Sequence, residues 1–311
     1  MRTPLWQRAG MLLVLLVLYA LCALCVPHFA GWANTEGLLL SVATVGMVSC
    51  TMLLCLASGN FDLSVGSVVA CSGVVAAVAM QRSGSVLLGV LAALLAGALV
   101  GFVNGFVVAR LAINPLITTL ATMQIVRGLA YIASDGKAVA IAHEEFFALG
   151  NAYWIGLPVP VWITGLFFLV FGVLLERTVF GRDTLAIGGN EEAARLAGIP
   201  VVRTKIAIFV LQGVVAAFAG IVLAARMTSG QPMGSQGLEL EVISACVLGG
   251  VSLTGGVGSM GAVIAGVLIM GIVQNAMNLL NVDSFWQYVA RGMILLGAVL
   301  FDRLRRNAGE E

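Results

Sequence analysis

Long apolar blocks alternate with short polar segments along most of the 311-residue chain. A helix needs about 20 consecutive apolar residues to cross a bilayer, and most of the blocks have about that length. The pattern therefore predicts an all-α polytopic membrane protein with about ten transmembrane helices. The blocks lie near residues 11–30, 38–57, 63–80, 85–109, 114–133, 158–176, 206–225, 241–254, 261–281 and 285–302.

The eighth block, 241–254, is short for a full crossing and could be a re-entrant segment. The number of crossings therefore ranges from eight to ten. The first block follows Arg2 and Arg8, as a secretory signal would, but further apolar blocks follow it and no soluble domain does. We interpret it as a retained first helix, so that residues 1–311 form one transmembrane domain.

The positive residues are distributed unequally between the two sides of the membrane, and positive loops stay in the cytoplasm. With ten crossings and both termini inside, the inside set is Arg2, Arg8, Arg110, Arg177, Arg182, Arg195, Arg203, Lys205, Arg303, Arg305 and Arg306. The outside set is only Arg82, Lys137 and Arg226. An odd number of crossings would weaken this asymmetry, so we expect an even number with cytoplasmic N- and C-termini. The longest cytoplasmic loop is then about 177–205, and the longest periplasmic loop about 134–157.

The composition strengthens the membrane assignment and excludes several other classes. Charged residues make up only 10% of the chain, against about 25% in soluble proteins, and the mean hydropathy is +1.05. With 16 basic and 15 acidic groups there is no positive field to attract nucleic acid. The six cysteines lie within apolar blocks and there are only two histidines, so we expect no metal site, no cofactor and no catalytic residues in this chain.

Two glycine-rich polar segments interrupt the apolar pattern. The first is SGNFDLSVGS at 58–67; the second, at 229–261, contains Gln231, Pro232 and Glu239 before two glycine clusters. Bare backbone cannot face lipid, so each segment is either a surface loop or an unwound stretch lining a cavity. Transporters bind small solutes at broken helices of the second kind.

Arg127 and Arg291 lie inside apolar blocks, where a charge costs about 2.5–3.5 kcal/mol at a helix centre. Two explanations remain open. The guanidinium groups could reach the headgroups or pair with a carboxylate such as Asp62 or Glu239. Alternatively, they could line a polar pathway.

Regularly spaced glycines predict close packing of the backbone. Gly97, Gly101 and Gly105 are four residues apart, which lets helices approach closely within the bundle or at a dimer face. The segment GVGSMG at 256–261 has the spacing of a dinucleotide fingerprint. It lacks the strand before it and the acidic residue after it, so we interpret it as packing as well.

The 177–205 loop contains the pattern of a short amphipathic helix. Gly189 and Asn190 can cap it, and Glu191 and Glu192 favour its first turn through the helix dipole. The pattern predicts an apolar face and then an end, formed by Ala193, Ala194, Leu196, Ala197, Gly198, Ile199 and Pro200. Such a helix suits a groove on another protein; a helix lying on the membrane surface is the alternative.

Three motifs of the chain, in order, resemble those of one family, the binding-protein-dependent ABC importer permeases of the ribose, xylose and arabinose group. They are GNFDLSVGS, the loop GGNEEAARLAGIPVVRTK, and SGQPMGSQGLELEVISACVLGGVSLTGGVGS. The likeness covers about residues 8–304. Details such as CLASGNFDLSV are most similar to the arabinose subgroup, and Ser58, Asn60 and Phe61 depart from the broader signature in a way that fits it.

The resemblance implies a permease of the bacterial inner membrane that forms a homodimer in the lipid bilayer. It would receive a pentose from a periplasmic sugar-binding protein docked on the outer loops, and couple to a cytoplasmic ATPase with two nucleotide-binding halves. The chain itself has no G-x-x-x-x-G-K-[ST] motif, so ATP hydrolysis is expected in the other chain. The coupling contacts would be Gly189, Asn190, Glu191, Glu192, Ala193, Ala194, Leu196, Gly198 and Ile199.

A sugar route should offer amides, hydroxyls and a carboxylate to the hydroxyls of a pentose. The candidates are Asn60, Asp62, Ser64, Gln124, Arg127, Gln231, Glu239, Gln274, Asn275 and Asn278. The cargo could also be ribose, xylose or galactose. Two other classes stay open: an ion-coupled carrier using Asp62, Arg127 and Glu239, and a membrane enzyme, for which no convergent catalytic set is visible.

Overall fold

The computed structural model describes residues 5–307, and side chains of 10–297 and 299–300. The helices are α1 Leu5–Cys25, α2 Trp32–Ala57, α3 Val65–Ser83, α4 Val86–Arg110, α5 Pro115–Ser134, α6 Glu144–Asn151, α7 Val159–Arg177, α8 Val179–Gly189, α9 Glu191–Leu196, α10 Val201–Met227, α11 Leu238–Leu248, α12 Met260–Leu279 and α13 Ser284–Asn307. Four two-residue strands accompany them: β1 Val139–Ala140, β2 Tyr153–Trp154, β3 Leu157–Pro158 and β4 Ser229–Gly230. Arg2 lies outside the described residues, as do the side chains of Arg8, Arg303, Arg305 and Arg306.

Each of the ten predicted apolar blocks coincides with a helix, and the all-α class is confirmed. Seven helices in the described part of the chain are long and apolar enough to cross a membrane: α2, α3, α4, α5, α7, α10 and α12. Helix α1 contains a shorter apolar stretch, Gly10–Cys25. Helix α11 has only 11 residues, as the short eighth block predicts.

The core lies where α2, α3 and α10 meet. Helix α2 is buried on all sides along its second half, and Met47, Leu53 and Leu54 have no exposed surface. Helices α4, α5 and α7 surround this core and expose apolar side chains such as Leu95 and Leu169 outward. Apolar residues face both the core and the outside, because the lipid around a membrane bundle is itself apolar. An exposed leucine therefore carries no cost there.

The regularly spaced glycines of α4 pack inside the chain, against α10. A Cβ on Gly97 would overlap the carbonyl oxygen of Gly213, one on Gly101 would overlap that of Phe209, and one on Gly105 would lie 2.8 Å from the Cα of Ile206. This helix pair has the most extensive contact in the bundle. The predicted close packing is therefore intramolecular and does not form a dimer face.

The 134–157 loop is folded and lies over one end of the bundle. Its strand β1 pairs antiparallel with β4, with Val139 opposite Gly230. The Gln81 side-chain amide donates a hydrogen bond to the carbonyl of Ala140 at 2.8 Å, and Asn151 donates to that of Ala225 at 3.0 Å. The 177–205 loop, with α8 and α9, lies at the opposite end, against the C-terminus of α2.

Candidate functional site

The first break, residues 58–64, lies inside the protein between α2 and α3. Asp62 is 1% exposed, and its Oδ1 accepts hydrogen bonds from the backbone N–H of Ser64 at 2.9 Å and from the Ser64 hydroxyl at 2.5 Å. The amide of Asn60 donates to the carbonyl and hydroxyl oxygens of Ser58, both at 3.0 Å. The side chains thus take the place of the helical hydrogen bonds that the backbone lacks. The surface-loop explanation is excluded for this break.

Within the second polar segment, 229–261, the stretch outside regular structure that precedes α11 is 231–237. We call it the second break; it connects β4 to α11 and is held by an arginine from α5. The Nη1 of Arg127 donates to the carbonyl oxygens of Pro232 and Gly234, both at 2.8 Å. The side-chain amide of Gln231 donates to the Ser229 hydroxyl at 2.9 Å. Arg127 therefore satisfies bare backbone instead of reaching the headgroups or pairing with Asp62.

The two breaks touch each other at the first turn of α3. A Cβ on Gly66 would overlap the carboxylate of Glu239 and would lie 2.6 Å from the carbonyl oxygen of Ser235. Only glycine lets α3 approach the start of α11 this closely. Sequence reasoning identified both breaks, and the structure shows that they are neighbours.

Arg291 forms an ion pair whose partner differs from the carboxylates named as examples in the sequence analysis. Its Nη1 lies 3.6 Å from Oε2 of Glu241. In the amide orientation that satisfies its neighbours, Gln274 donates to Glu241 at 3.1 Å and accepts from Arg291 at 2.9 Å. Of the explanations left open, pairing with a carboxylate holds for Arg291, and the partner is Glu241 instead of the examples Asp62 and Glu239. Glu239 is two residues before Glu241, about 200° away around α11, and faces α3 instead.

The remaining candidates lie away from the breaks. Gln124 is exposed on α5. Asn275 and Asn34 exchange two amide hydrogen bonds of 2.9 Å between α12 and α2. Asn278 accepts a hydrogen bond from Gln287 of α13 at 2.8 Å. The structure therefore joins Asp62 to Ser64 and brings Glu239 against Gly66 of the first polar segment, whereas the other candidates make separate contacts or lie on the surface.

Two buried amides beside the first break were missed by sequence reasoning. Asn104 of α4 donates to the Ser64 hydroxyl at 3.0 Å, which extends the chain of hydrogen bonds to Asp62. Gln212 of α10 is fully buried, with its Oε1 3.8 Å from the Sγ of Cys55. Within the described residues, Asn104 Oδ1 and Gln212 Nε2 have no hydrogen-bond partner. The available signal was a single amide inside each apolar block.

The 177–205 loop contains the predicted short helix, α9. The side chain of Asn190 caps its N-terminus by accepting a hydrogen bond from the N–H of Ala193 at 2.9 Å. After α9 the chain changes direction at Gly198, whose φ is +86°. The expected single apolar face is divided: Ala194 is buried, whereas Leu196 is 85% exposed. One side of α9 is therefore fixed to the bundle and its C-terminal end is free.

Glu191 forms an ion pair with Arg195 within α9 and a second one with Lys205, which joins α9 to α10. Its carboxylate lies 3.1 Å from Arg195 and 2.6 Å from Lys205. Burial opposes ionisation, but Lys205 and Arg195 together outweigh it and hold the pKa of Glu191 below its ordinary value. The carboxylate is therefore ionised at neutral pH.

Helix α8, which precedes α9, was not predicted. Thr178 caps it by accepting from the N–H of Gly181 at 3.2 Å, and it ends at Gly189. The expectation that Gly189 caps α9 is wrong, since Asn190 does so alone. A charged, glycine-containing segment has a weak helical pattern, and α8 gains its stability from packing on α7 and α2.

Taken together, these contacts define a multi-pass α-helical membrane protein with interior breaks of the kind that transporters contain. A family model described as "Branched-chain amino acid transport system / permease component" matches residues 34–300. The chain belongs to this family of transport-system permeases.

Individual relatives agree with this assignment. The chain is 64% identical to the L-arabinose transport system permease protein AraH of Escherichia coli K12, over 98% of this chain and 93% of that protein. It is 56% identical to the L-arabinose ABC transporter permease protein AraH of Azospirillum brasilense, over 98% and 91%. It is 40% identical to the ribose import permease protein RbsC of Bacillus subtilis, over 96% and 93%. No solved structure matches the chain.

The resemblance inferred from the three motifs is therefore confirmed. The chain is a permease component and not an enzyme, and it is a multi-pass protein of the inner membrane. As a component, it is one part of a larger transport system.

Proposed function

We propose that this chain is the permease subunit through which an ATP-driven ABC importer moves a pentose, L-arabinose, across the inner membrane. The observation that carries the proposal is the 64% identity over 98% of the chain to an L-arabinose permease. Ribose import permeases are only 40% and 38% identical over nearly the same length. The family description names branched-chain amino acids, but the nearer relatives are sugar permeases.

The sugar route runs along the two breaks. Asn60, Asp62, Ser64, Gln231 and Glu239 supply amides, a hydroxyl and carboxylates, which are the groups that bind sugar hydroxyls. The contact of Glu239 with Gly66, two residues after Ser64, supports this placement. The exposed Gln124 is a further candidate, at a surface that a second permease copy would cover.

The chain crosses the membrane ten times, with both termini in the cytoplasm. The eighth crossing consists of β4, the turns within 231–237 and α11. Two contacts support this path, because β4 pairs with the 134–157 loop at one end, whereas Gly256 contacts the 177–205 loop at the other. Ten crossings also place the most basic loop on the cytoplasmic side, as the positive-inside rule requires.

The partners are a second permease copy, a cytoplasmic ATPase with two nucleotide-binding halves, and a periplasmic sugar-binding protein. The ATPase binds the exposed end of α9, where Leu196 offers an apolar side chain to a groove. The sugar-binding protein docks on the 134–157 loop, where α6 presents Glu144 and Glu145 in its first turn. That loop is fixed to the bundle by several hydrogen bonds and so forms a preorganised surface.

Uptake of radiolabelled L-arabinose into vesicles containing all three components tests the proposal. Each component is omitted in turn, and unlabelled ribose, xylose, galactose and leucine are added as competitors. We expect ATP-dependent uptake that requires every component and is blocked by unlabelled arabinose alone. Uptake driven by an ion gradient with this chain by itself would contradict the proposal. Competition by another sugar or by leucine would identify a different cargo.

A further inference from the structure

Three backbone segments meet without intervening side chains at the end of the bundle that carries α9. A Cβ on Gly188, near the C-terminus of α8, would overlap the carbonyl oxygen of Ala57 and lie 2.5 Å from the backbone nitrogen of Gly256. The N–H of Gly256 donates to that same carbonyl of Ala57 at 2.9 Å. Helix α8, the end of α2 and the loop after α11 are therefore in direct contact.

The contact extends to two further glycines. A Cβ on Gly255 would lie 2.7 Å from the carbonyl oxygen of Gly188 and 2.9 Å from the nitrogen of Gly59. Gly59, Gly255 and Gly256 all have positive φ, at +75°, +90° and +77°. Other residues rarely adopt this conformation. We call Gly59, Gly188, Gly255 and Gly256 the glycine junction.

Each segment of the junction continues into an element of the proposed transport machinery. Gly188 is two residues before Asn190, the cap of α9. Gly59 is the second residue of the first break. Gly255 and Gly256 belong to the loop between α11 and α12, directly after the second broken crossing. The junction is thus the place where the end of α8, just before α9, touches the first break and the loop that follows the eighth crossing.

The attachment of α9 to α8 makes the junction mechanically relevant. Ala194 of α9 packs with Ile187 of α8 and Val201 of α10 in one buried cluster. A displacement of α9 therefore moves the C-terminal turn of α8. Packed interiors have low compressibility and transmit strain, and backbone in direct contact has no rotatable side chain to absorb it.

Resting on the proposed function, we propose that the glycine junction transmits the movement of α9 to both broken crossings. Gly188 is then a positioning residue that couples ATP hydrolysis to sugar movement, although it touches neither ATP nor sugar. A methyl group at Gly188 would separate the three segments and weaken this transmission. Gly165 of α7, a helical glycine outside this machinery, provides a control, because a Cβ there has no heavy atom within 4 Å.

The first test compares Gly188→Ala with Gly165→Ala in the complete transporter with its ATPase and binding protein. Membrane amount, co-purified ATPase, ATP hydrolysis and sugar uptake are measured for each. We expect Gly188→Ala to raise the ATP hydrolysed per sugar by at least about fivefold, the lower end of usual coupling factors, with Gly165→Ala at the wild-type ratio. An unchanged ratio in Gly188→Ala, or equal changes in both variants, would overturn the proposal.

The second test needs no substitution and stands even where Gly188→Ala fails to fold. Hydrogen exchange of the wild-type complex is compared without nucleotide and after ATP hydrolysis in the presence of vanadate, which traps ADP in the ATPase. We expect exchange in 58–64 and in 249–257 to change together with that in α9. A change confined to α9 would overturn the proposal. Absence of sugar uptake by the wild-type complex would instead contradict the proposed function. The exchange data would still test whether the junction transmits the movement of α9.

Discussion

At the scale of single residues, Arg127 shows how an arginine is accommodated within an apolar helix. Its guanidinium donates to two backbone carbonyls of the second break, Pro232 and Gly234, at 2.8 Å each. Arginine has five donors on a planar group, so one side chain can satisfy several acceptors at once. The charge is therefore part of what keeps the unwound segment in place.

Replacing Arg127 with methionine, which is also unbranched and flexible, should destabilise the second break. Each carbonyl left without a donor costs about 1–3 kcal/mol. Arg127 is half-exposed, so the free energy gained by no longer burying its charge is smaller than the free energy lost at the two carbonyls. We expect a lower thermal unfolding midpoint in detergent and impaired sugar uptake. The control is Arg82→Met, an exposed site at the end of α3. Equal midpoints for the two variants would contradict the role given to Arg127.

Asp62 acts in the structure as a hydrogen-bond acceptor. Its Oδ1 receives two hydrogen bonds from Ser64, and none of the three ion pairs in the described side chains includes it. We expect Asp62→Asn to reach nearly the wild-type membrane amount, thermal unfolding midpoint and sugar uptake, because an amide oxygen accepts the same hydrogen bonds. Asp62→Ala should be destabilised by about 1–3 kcal/mol because a buried donor loses its partner. Membrane amount, thermal midpoint and uptake distinguish the variants, and a normally inserted but inactive Asp62→Asn would show that the charge itself is needed.

The residue scale also marks where sequence reasoning stops. Asp62 and Arg127 could be singled out because a charge in an apolar context is conspicuous. The partner of Arg291 could not, since Glu239 and Glu241 differ only in which side of α11 they occupy. Asn104 and Gln212 were overlooked because an uncharged amide in an apolar block has little weight until its neighbours in space are known.

At the scale of elements, α9 was predictable because its signals are local. The cap Asn190 and the acidic first turn act within a few residues of the helix start. Helices α6 and α8 were not predicted, because they are stabilised by contacts with distant segments such as α10 and α2. Likewise, the closeness of the two breaks depends on how α3 and α11 pack and has no local sign.

The ion pairs of Glu191 give the attachment of α9 a defined pH dependence. Its pKa is lowered in the folded protein, so its contribution is present above the unfolded value of about 4.3 and is lost as the pH falls through the folded pKa. We expect Glu191→Gln to have a lower thermal midpoint than the wild type at pH 7. The difference should begin to shrink as the pH falls below about 4.3 and should disappear once the pH is below the folded pKa. The control Glu192→Gln, at an exposed carboxylate, should show little difference at either pH. A Glu191→Gln difference that persists at low pH would contradict the ion-pair explanation.

At the scale of the whole molecule, the path of the eighth crossing decides on which side of the membrane the C-terminus lies. Strand β4, the turns within 231–237 and the 11-residue α11 together lead from the 134–157 loop to the glycine junction. If this path crosses, four crossings separate α9 from the end of α13, and both lie on the same side. If it is re-entrant, only three do, and the C-terminus lies opposite α9.

Labelling single cysteines with a membrane-impermeant maleimide tests this topology. Ala138→Cys and Ala197→Cys are exposed positions in the 134–157 and 177–205 loops, and Asn307→Cys marks the end of α13. In a background lacking the exposed Cys25, we expect Ala138→Cys to react only in right-side-out vesicles and Ala197→Cys only in inverted ones. Asn307→Cys should react from the same side as Ala197→Cys, because an even number of crossings returns the chain to the cytoplasm. Reaction of Asn307→Cys from the opposite side would mean that α11 does not complete a crossing. The α9 signal would then reach a re-entrant hairpin instead of a membrane-spanning element.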